Sequence, residues 1–414
     1  LVDAGDLDSA RSTAASYRVV CGARSFYIEL QEHRTFEDEA RNRKLVELAE
    51  GLGLGYVATN NVHYHRRERH RLHDVLVAIR ANKSLEDVRH LLRPNAEFCL
   101  KSSQEMESWF ARFPTAIENS ALIADRCTFD LNTDLSYEFP DYNLPGRTAD
   151  DFLAEICFKE VQRLYPKRPD VDARLRRELE MIKEGRRAGF FLKLWELMRI
   201  AHELDMPVRG RGSSVGSLVC YLLGLSGIDP IRYDLIVDRF LNEARLTEDV
   251  PDVDLDFGRR ARDQMFASIF ERYGTEYAAQ VCNFVQYRYP SAVRDVGKAL
   301  GLAPEDIDRV AKQMRSRFSH NLQEELSLLP EWRERLSSAF WLDFIRLVEE
   351  LRGMPRHLSQ HSGGVIISTT RMDEQVPIER PAMEGRYIAQ WDKDSVADAK
   401  MIKLDLLAYP TLDQ

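Results

Sequence analysis

Pro251-Asp252-Val253-Asp254-Leu255-Asp256-Phe257 alternates carboxylates with apolar side chains, and this alternation decides the reading of the fold. Successive side chains on a strand point to opposite faces, so a strand here carries its aspartates on one face and Val253, Leu255 and Phe257 on the other. At ~3.3 Å of rise per residue the first two carboxylates lie roughly 6 to 7 Å apart. That spacing suits a pair of divalent ions roughly 3.5 to 4 Å apart. A solvated edge strand shows the same short pattern, and its surroundings choose between the two.

Upstream, Val208-Arg209-Gly210-Arg211-Gly212-Ser213-Ser214-Val215-Gly216-Ser217 opens into the apolar run Leu218-Val219-Cys220-Tyr221-Leu222-Leu223-Gly224-Leu225. Glycines let backbone N–H groups approach an anion, and a helix start behind them adds its dipole and unpaired donors. Arg209 and Arg211 supply countercharge. The segment lacks the lysine and spacing of a P-loop, and its plainer reading is a turn leading into a buried helix.

Taken in order, Gly210-Arg211-Gly212-Ser213, Asp229-Pro230, Arg239-Phe240-Leu241-Asn242 and the acidic strand resemble the bacterial C-family DNA polymerases, which include the alpha subunit of DNA polymerase III. The resemblance continues through Arg294-Asp295-Val296-Gly297-Lys298, His361-Ser362-Gly363-Gly364-Val365, Gln390-Trp391-Asp392-Lys393 and Lys403-Leu404-Asp405-Leu406-Leu407. It implies that Asp252, Asp254 and Asp405 are palm carboxylates holding two Mg²⁺ ions, and that Gly212 and Ser213 help hold an incoming deoxynucleoside triphosphate. Asp256 takes a supporting or structural role. Arg211, Lys393, Lys403 and Arg294 are expected on triphosphate or primer phosphates, where basic groups stabilise spreading charge. Arg239 and Arg245 flank the turn before the acidic strand, and Gln390-Trp391-Asp392-Lys393 also reads as a local ion pair beside an indole.

The branch that Phe26-Tyr27-Ile28-Glu29-Leu30-Gln31, Arg356-His357-Leu358-Ser359-Gln360-His361 and Gln390-Trp391-Asp392-Lys393 most resemble is the error-prone, translesion one, with the replicative branch as the alternative. Gly55-Tyr56-Val57-Ala58-Thr59-Asn60-Asn61-Val62-His63-Tyr64-His65 resembles the last metal-ligand motif of the polymerase and histidinol phosphatase (PHP) domain. There the resemblance implies an aspartate where Asn61 stands, and a neutral amide is a poorer ligand. His63 and His65, read as alternating on one strand face, are a possible metal-binding remnant. No phosphoesterase or proofreading activity is expected.

The fold class that follows is α+β with α/β parts: a nucleotidyltransferase-like palm with a mixed sheet and helices, a helical thumb insertion and a partial PHP α/β domain. Residues 1–110 are assigned to the PHP part, 111–283 and 362–414 to the palm, and 284–361 to the thumb. Helical periodicity covers 37–52, 150–163, 171–183, 190–204, 291–300, 304–315, 322–328 and 339–351, with strands at 56–59, 364–368 and 401–407. Breakers crowd residues 137–147.

A chain of 414 residues with 44% hydrophobic residues can bury more than one core. Its formal net charge of −9 argues against nucleic acid only if spread evenly, since phosphate binding depends on local groove charge. Basic residues cluster around Arg174-Leu175-Arg176-Arg177 and near Arg309, Lys312 and Arg315. Six cysteines without paired spacing predict free thiols. No apolar run is long enough for a bilayer, so a cytoplasmic bacterial protein is expected. Primer-template DNA and deoxynucleoside triphosphates are the implied partners, with the sliding clamp and repair accessory proteins reached through regions absent here.

After Asp405 the chain reads Ala408-Tyr409-Pro410-Thr411 where the resemblance implies a Gly-Leu-Arg type sequence. A chain end this close predicts weak support for Asp405, and a segment without fingers is expected to be weak or inactive alone, since positioning supplies much of the rate. Two other classes of function are a PHP-type phosphoesterase and an inactive DNA-binding module.

Overall fold

The computed structural model describes residues 1–131, 133–135, 146–237, 240–241, 253–313, 322–327, 335–380 and 386–413. Asp252, Arg239 and Arg245 lie outside them, as does most of the breaker-rich stretch. The chain forms two compact units, Leu1–Phe129 with Gln286–Pro355, and Asp130–Val285 with Arg356–Gln414.

The first unit opens with α1 (Leu7–Cys21), β1 (Tyr27–Gln31), α2 (Asp38–Gly51), β2 (Gly55–Thr59), α3 (His70–Ala81), α4 (Ser103–Trp109) and α5 (Pro114–Arg126). β1 and β2 pair in parallel, and Leu30 and Ala58 pack with Phe110 and Ala116. The strand ends at Thr59, and Asn61 turns into the left-handed region at φ 42°, a conformation that asparagine tolerates better than most residues. His63 and His65 therefore follow outside any strand, and the expected alternation on one strand face does not form.

The second unit contributes α6 (Ala149–Leu164), α7 (Pro169–Glu184), α8 (Ala188–Glu203), β3 (Val208–Arg211), α9 (Leu218–Leu222), β4 (Asp254–Phe257), α10 (Arg259–Tyr273) and β5 (Ala278–Gln286). The chain then returns to the first unit for α11 (Tyr289–Ala299), α12 (Pro304–Gln313), α13 (Leu322–Ser327) and α14 (Ala339–Leu351). Here α3 shares a core with this insertion: Val75 and Ala78 belong to one cluster with Val293, Val296, Phe344 and Leu347. The last stretch supplies β6 (Pro355–Ile367), β7 (Ile378–Glu379), β8 (Ile388–Ala389), α15 (Lys393–Asp398) and β9 (Lys403–Ala408).

A mixed seven-stranded sheet runs β3-β4-β9-β6-β5-β8-β7. β4 and β9 are parallel, while β3 and β6 flank them antiparallel. Leu255 and Phe257, the apolar half of the acidic strand, are 1% and 0% exposed. They join Leu404, Leu406, Val365 and Ile367 in one core with side chains from α6, α7, α8 and α10. Each such large apolar side chain contributes about 1.5 to 3 kcal/mol on burial, which fixes the register and turns the aspartates to the opposite face. β9 is paired on both sides, so Asp405 is held by a central strand despite the nearby chain end.

Candidate active site

Arg211, Asp254, Asp405 and Gly364 form one row across four adjacent strands. Arg211 is in register with Asp254, Asp254 with Asp405, and Asp405 with Gly364. Directly opposed residues share a face, and neighbouring strands lie roughly 4.8 Å apart. Two carboxylates from distant stretches of sequence thus stand side by side, one at each of two parallel strands.

Cationic groups surround the pair. The Arg211 Nη2 lies 3.6 Å from an Asp254 oxygen, and its Nε lies 3.2 Å from Asp256, two residues further along the same face. The Lys403 ammonium donates to Asp405 Oδ2, while Asp405 Oδ1 is buried without a hydrogen-bond partner. His361 Nδ1 stands 4.0 Å from that oxygen. It accepts from the N–H groups of Gly363 at 3.2 Å and Gly364 at 2.7 Å, which places the ring proton of neutral His361 on Nε2. Burial pushes the His361 pKa down, against the pull of Asp405 and with help from Lys403 and Lys393. Gly364 makes this crowding feasible, because a Cβ there would sit 2.9 Å from His361 Nδ1 and 3.0 Å from the Lys403 Cδ.

The glycine-rich segment leaves the sheet beside Asp254. Gly210 donates to the Leu225 carbonyl at 2.8 Å, and a Cβ at that position would meet the same oxygen at 2.0 Å. Gly212 has φ 86°, a left-handed conformation that favours glycine, and begins a 3₁₀ turn, Gly212–Gly216. Gly212 and Ser213 are exposed beside Arg211. The apolar run behind them makes only a five-residue helix.

The expectation of unpaired donors at that helix start is corrected by Glu178, which is fully buried. Its carboxylate accepts from Leu218 N and Val219 N, each at 3.1 Å, from Ser217 Oγ at 2.9 Å and from Arg174 Nε at 3.1 Å. An internal anion therefore takes the α9 start, and only the preceding turn faces outward. Glu178 was legible as an anomaly: it occupies the buried stripe of α7 with Val171, Leu175 and Ile182, where an acid must find partners.

Lys393 is exposed at the start of α15, 3.9 Å from Asp394, while Asp392 caps that helix through Ser395 N at 3.0 Å. The local ion-pair reading thus gives way to a helix cap. Arg294 lies in the first unit, where its Nε is 3.7 Å from Asp308. His63, also in the first unit, accepts from Arg93 Nη2 at 2.7 Å.

Among the described residues no group of three or more His, Cys, Asp or Glu side chains converges as metal ligands. Magnesium needs only one or two carboxylates with waters and substrate phosphates. The adjacent carboxylates and the unpartnered oxygen of Asp405 fit such an ion. The His63 site does not fit a cation, because a guanidinium N–H already takes its ring lone pair.

The model of the bacterial DNA polymerase III alpha NTPase domain matches residues 151–408. The chain is 36% identical over 385 residues to an error-prone DNA polymerase of Rhodopseudomonas palustris (strain BisA53), covering 91% of this chain and 32% of that protein. It is 37% identical over 394 residues to error-prone DNA polymerase 1 of Agrobacterium fabrum, covering 93% and 35%. Against an error-prone DNA polymerase of Caulobacter vibrioides it is 35% identical over 382 residues, covering 91% and 34%. The chain spans about a third of the length of these curated relatives.

Proposed function

This chain belongs to the family of the bacterial DNA polymerase III alpha NTPase domain, and from that premise we propose that it is the catalytic segment of an error-prone, translesion DNA polymerase. The reaction is template-directed transfer of a deoxynucleotide from its triphosphate to a primer 3′-hydroxyl. The observation that carries this reading is the register pairing of Asp254 with Asp405 on parallel strands. The relatives' names favour the error-prone over the replicative branch, and the guanidinium on His63 argues against a PHP-type phosphoesterase.

Asp252, Asp254 and Asp405 would hold two magnesium ions, which when bound lower the pKa of the attacking hydroxyl and neutralise charge on the triphosphate. Arg211 and Lys403, which pair with the carboxylates, are within side-chain reach of phosphoryl oxygens brought to the same face, where fixed cations stabilise spreading charge. The N–H groups of Gly212 and Ser213 cradle the triphosphate. Lys393 adds countercharge, and Arg294 is assigned to triphosphate or primer phosphate. His361, with its proton on Nε2, is fixed beside Asp405 by the Gly363 and Gly364 N–H groups that donate to its Nδ1.

The division into a partial PHP domain, palm and thumb belongs to the same proposal, as do primer-template DNA, the clamp and repair accessory proteins as partners. So does a place in the bacterial cytoplasm. No helix among the described residues is long and apolar enough to cross a membrane. The test is primer extension by an enzyme extended at both ends to the length of its relatives. Asp405→Asn should lower the rate by roughly 10²-fold or more with an unchanged circular dichroism spectrum. Extension near the parent's rate would end this reading.

A further inference from the structure

The first unit holds a cavity of about 550 Å³ that the polymerase chemistry leaves unused, lined in part by His63, His73, Arg80 and Arg93. Its volume is in the range of small-molecule sites. No lining side chain is acidic, and the remaining wall is apolar, from Val77, Ala81 and Leu91. Arginine cannot lose its charge in a protein. Neither Arg80 nor Arg93 forms an ion pair among the described residues. Two guanidinium groups without an ion pair among the described residues, exposed Arg80 and half-buried Arg93, therefore line one cavity.

The histidines complete the site. The Arg93 guanidinium donates through Nη2 to His63 Nε2 at 2.7 Å and lies over the Phe98 ring at 4.8 Å. Since arginine only donates, the proton of neutral His63 sits on Nδ1. The His63 and His73 rings are 5.0 Å apart, and His73 Nδ1 is buried without a hydrogen-bond partner. Arg93 is held in place by its ring contacts and retains further N–H donors in the planar fork that suits phosphate oxygens.

We propose that this cavity binds a phosphate-type oxyanion, either inorganic phosphate or the phosphate of a small organic monoester whose apolar part lies against Val77, Ala81 and Leu91. The site binds its ligand through arginine and requires no divalent metal. The proposal stands independently of the polymerase reading, because every residue in it lies in the first unit.

Isothermal titration of the whole chain with inorganic phosphate and with adenosine monophosphate, both in EDTA, tests it. The parent should bind phosphate. Arg93→Gln and Arg80→Gln should each weaken binding roughly tenfold, the scale of one lost charge-assisted hydrogen bond, and Arg93→Lys should restore part of it. Tighter binding of the nucleotide assigns the ligand as a monoester; equal affinity assigns it as phosphate itself. Absence of binding would overturn the proposal. So would binding untouched by Arg93→Gln and abolished by Arg211→Gln, which moves the anion to the palm. Circular dichroism of each variant separates lost binding from lost folding.

Discussion

The ammonium of Lys403 reaches one oxygen of Asp405 and leaves the other buried without a partner. A cation two residues from a carboxylate proposed to hold magnesium opposes metal binding there and favours phosphate. Lys403→Met removes both effects at once. Magnesium affinity, read by Mn²⁺ competition, should rise roughly threefold to tenfold, while metal-dependent triphosphate affinity falls by a similar factor. Both affinities falling together would assign Lys403 a purely structural role.

Gly210 is the position where β3 comes too close to the Leu225 carbonyl for any side chain. Relief of the 2.0 Å contact in Gly210→Ala requires the strand carrying Arg211 to move. The expected cost is about 2 to 4 kcal/mol in urea denaturation, within the upper range for overpacking and loss of a backbone hydrogen bond. A change below about 0.5 kcal/mol, the scale of neutral surface substitutions, would contradict this account.

Glu178 closes the start of α9 from inside. Glu178→Ala leaves the Arg174 guanidinium, Ser217 and two backbone N–H groups without their acceptor. Removing one member of a buried charge network costs about 3 to 5 kcal/mol. Glu178→Gln should cost less, because its amide oxygen keeps part of the acceptor role. Amide hydrogen exchange at Leu218 and Val219 should quicken in both variants, and unchanged exchange would show that other groups hold the turn.

Much of this was legible before the structure, and the reasons are physical. The Leu255/Phe257 alternation places the aspartates on one face because a one-residue slip would expose every apolar side chain, and the long helices follow from their apolar stripes. The neighbour relation between Asp254 and Asp405 depends on which distant strands pair, and that relation is absent from local sequence; only the resemblance brought Asp405 to the site. Glu178 was missed because a carboxylate in an apolar stripe does not reveal its partner. His63 and His65 were misread as a strand pair because asparagine at position 61 supports several conformations, and the left-handed one ends the extension. The Arg93 contact with His63 spans a loop that periodicity does not describe.

His73 provides a handle on the first unit through pH. Burial above all, then His63, Arg93 and His70, pushes its pKa from 6.5 down to about 4. Between those values the unfolded chain binds a proton that the folded chain refuses, so this contribution to stability is complete above pH 6.5 and is lost as the pH falls toward 4. Partial exposure screens the effect, leaving an expected loss of roughly 1 to 2 kcal/mol. His73→Gln should flatten the dependence of the urea midpoint on pH across that window by this amount. Equal slopes in parent and variant would assign the acid sensitivity instead to His33, His63 and His361, whose pKa values burial also lowers.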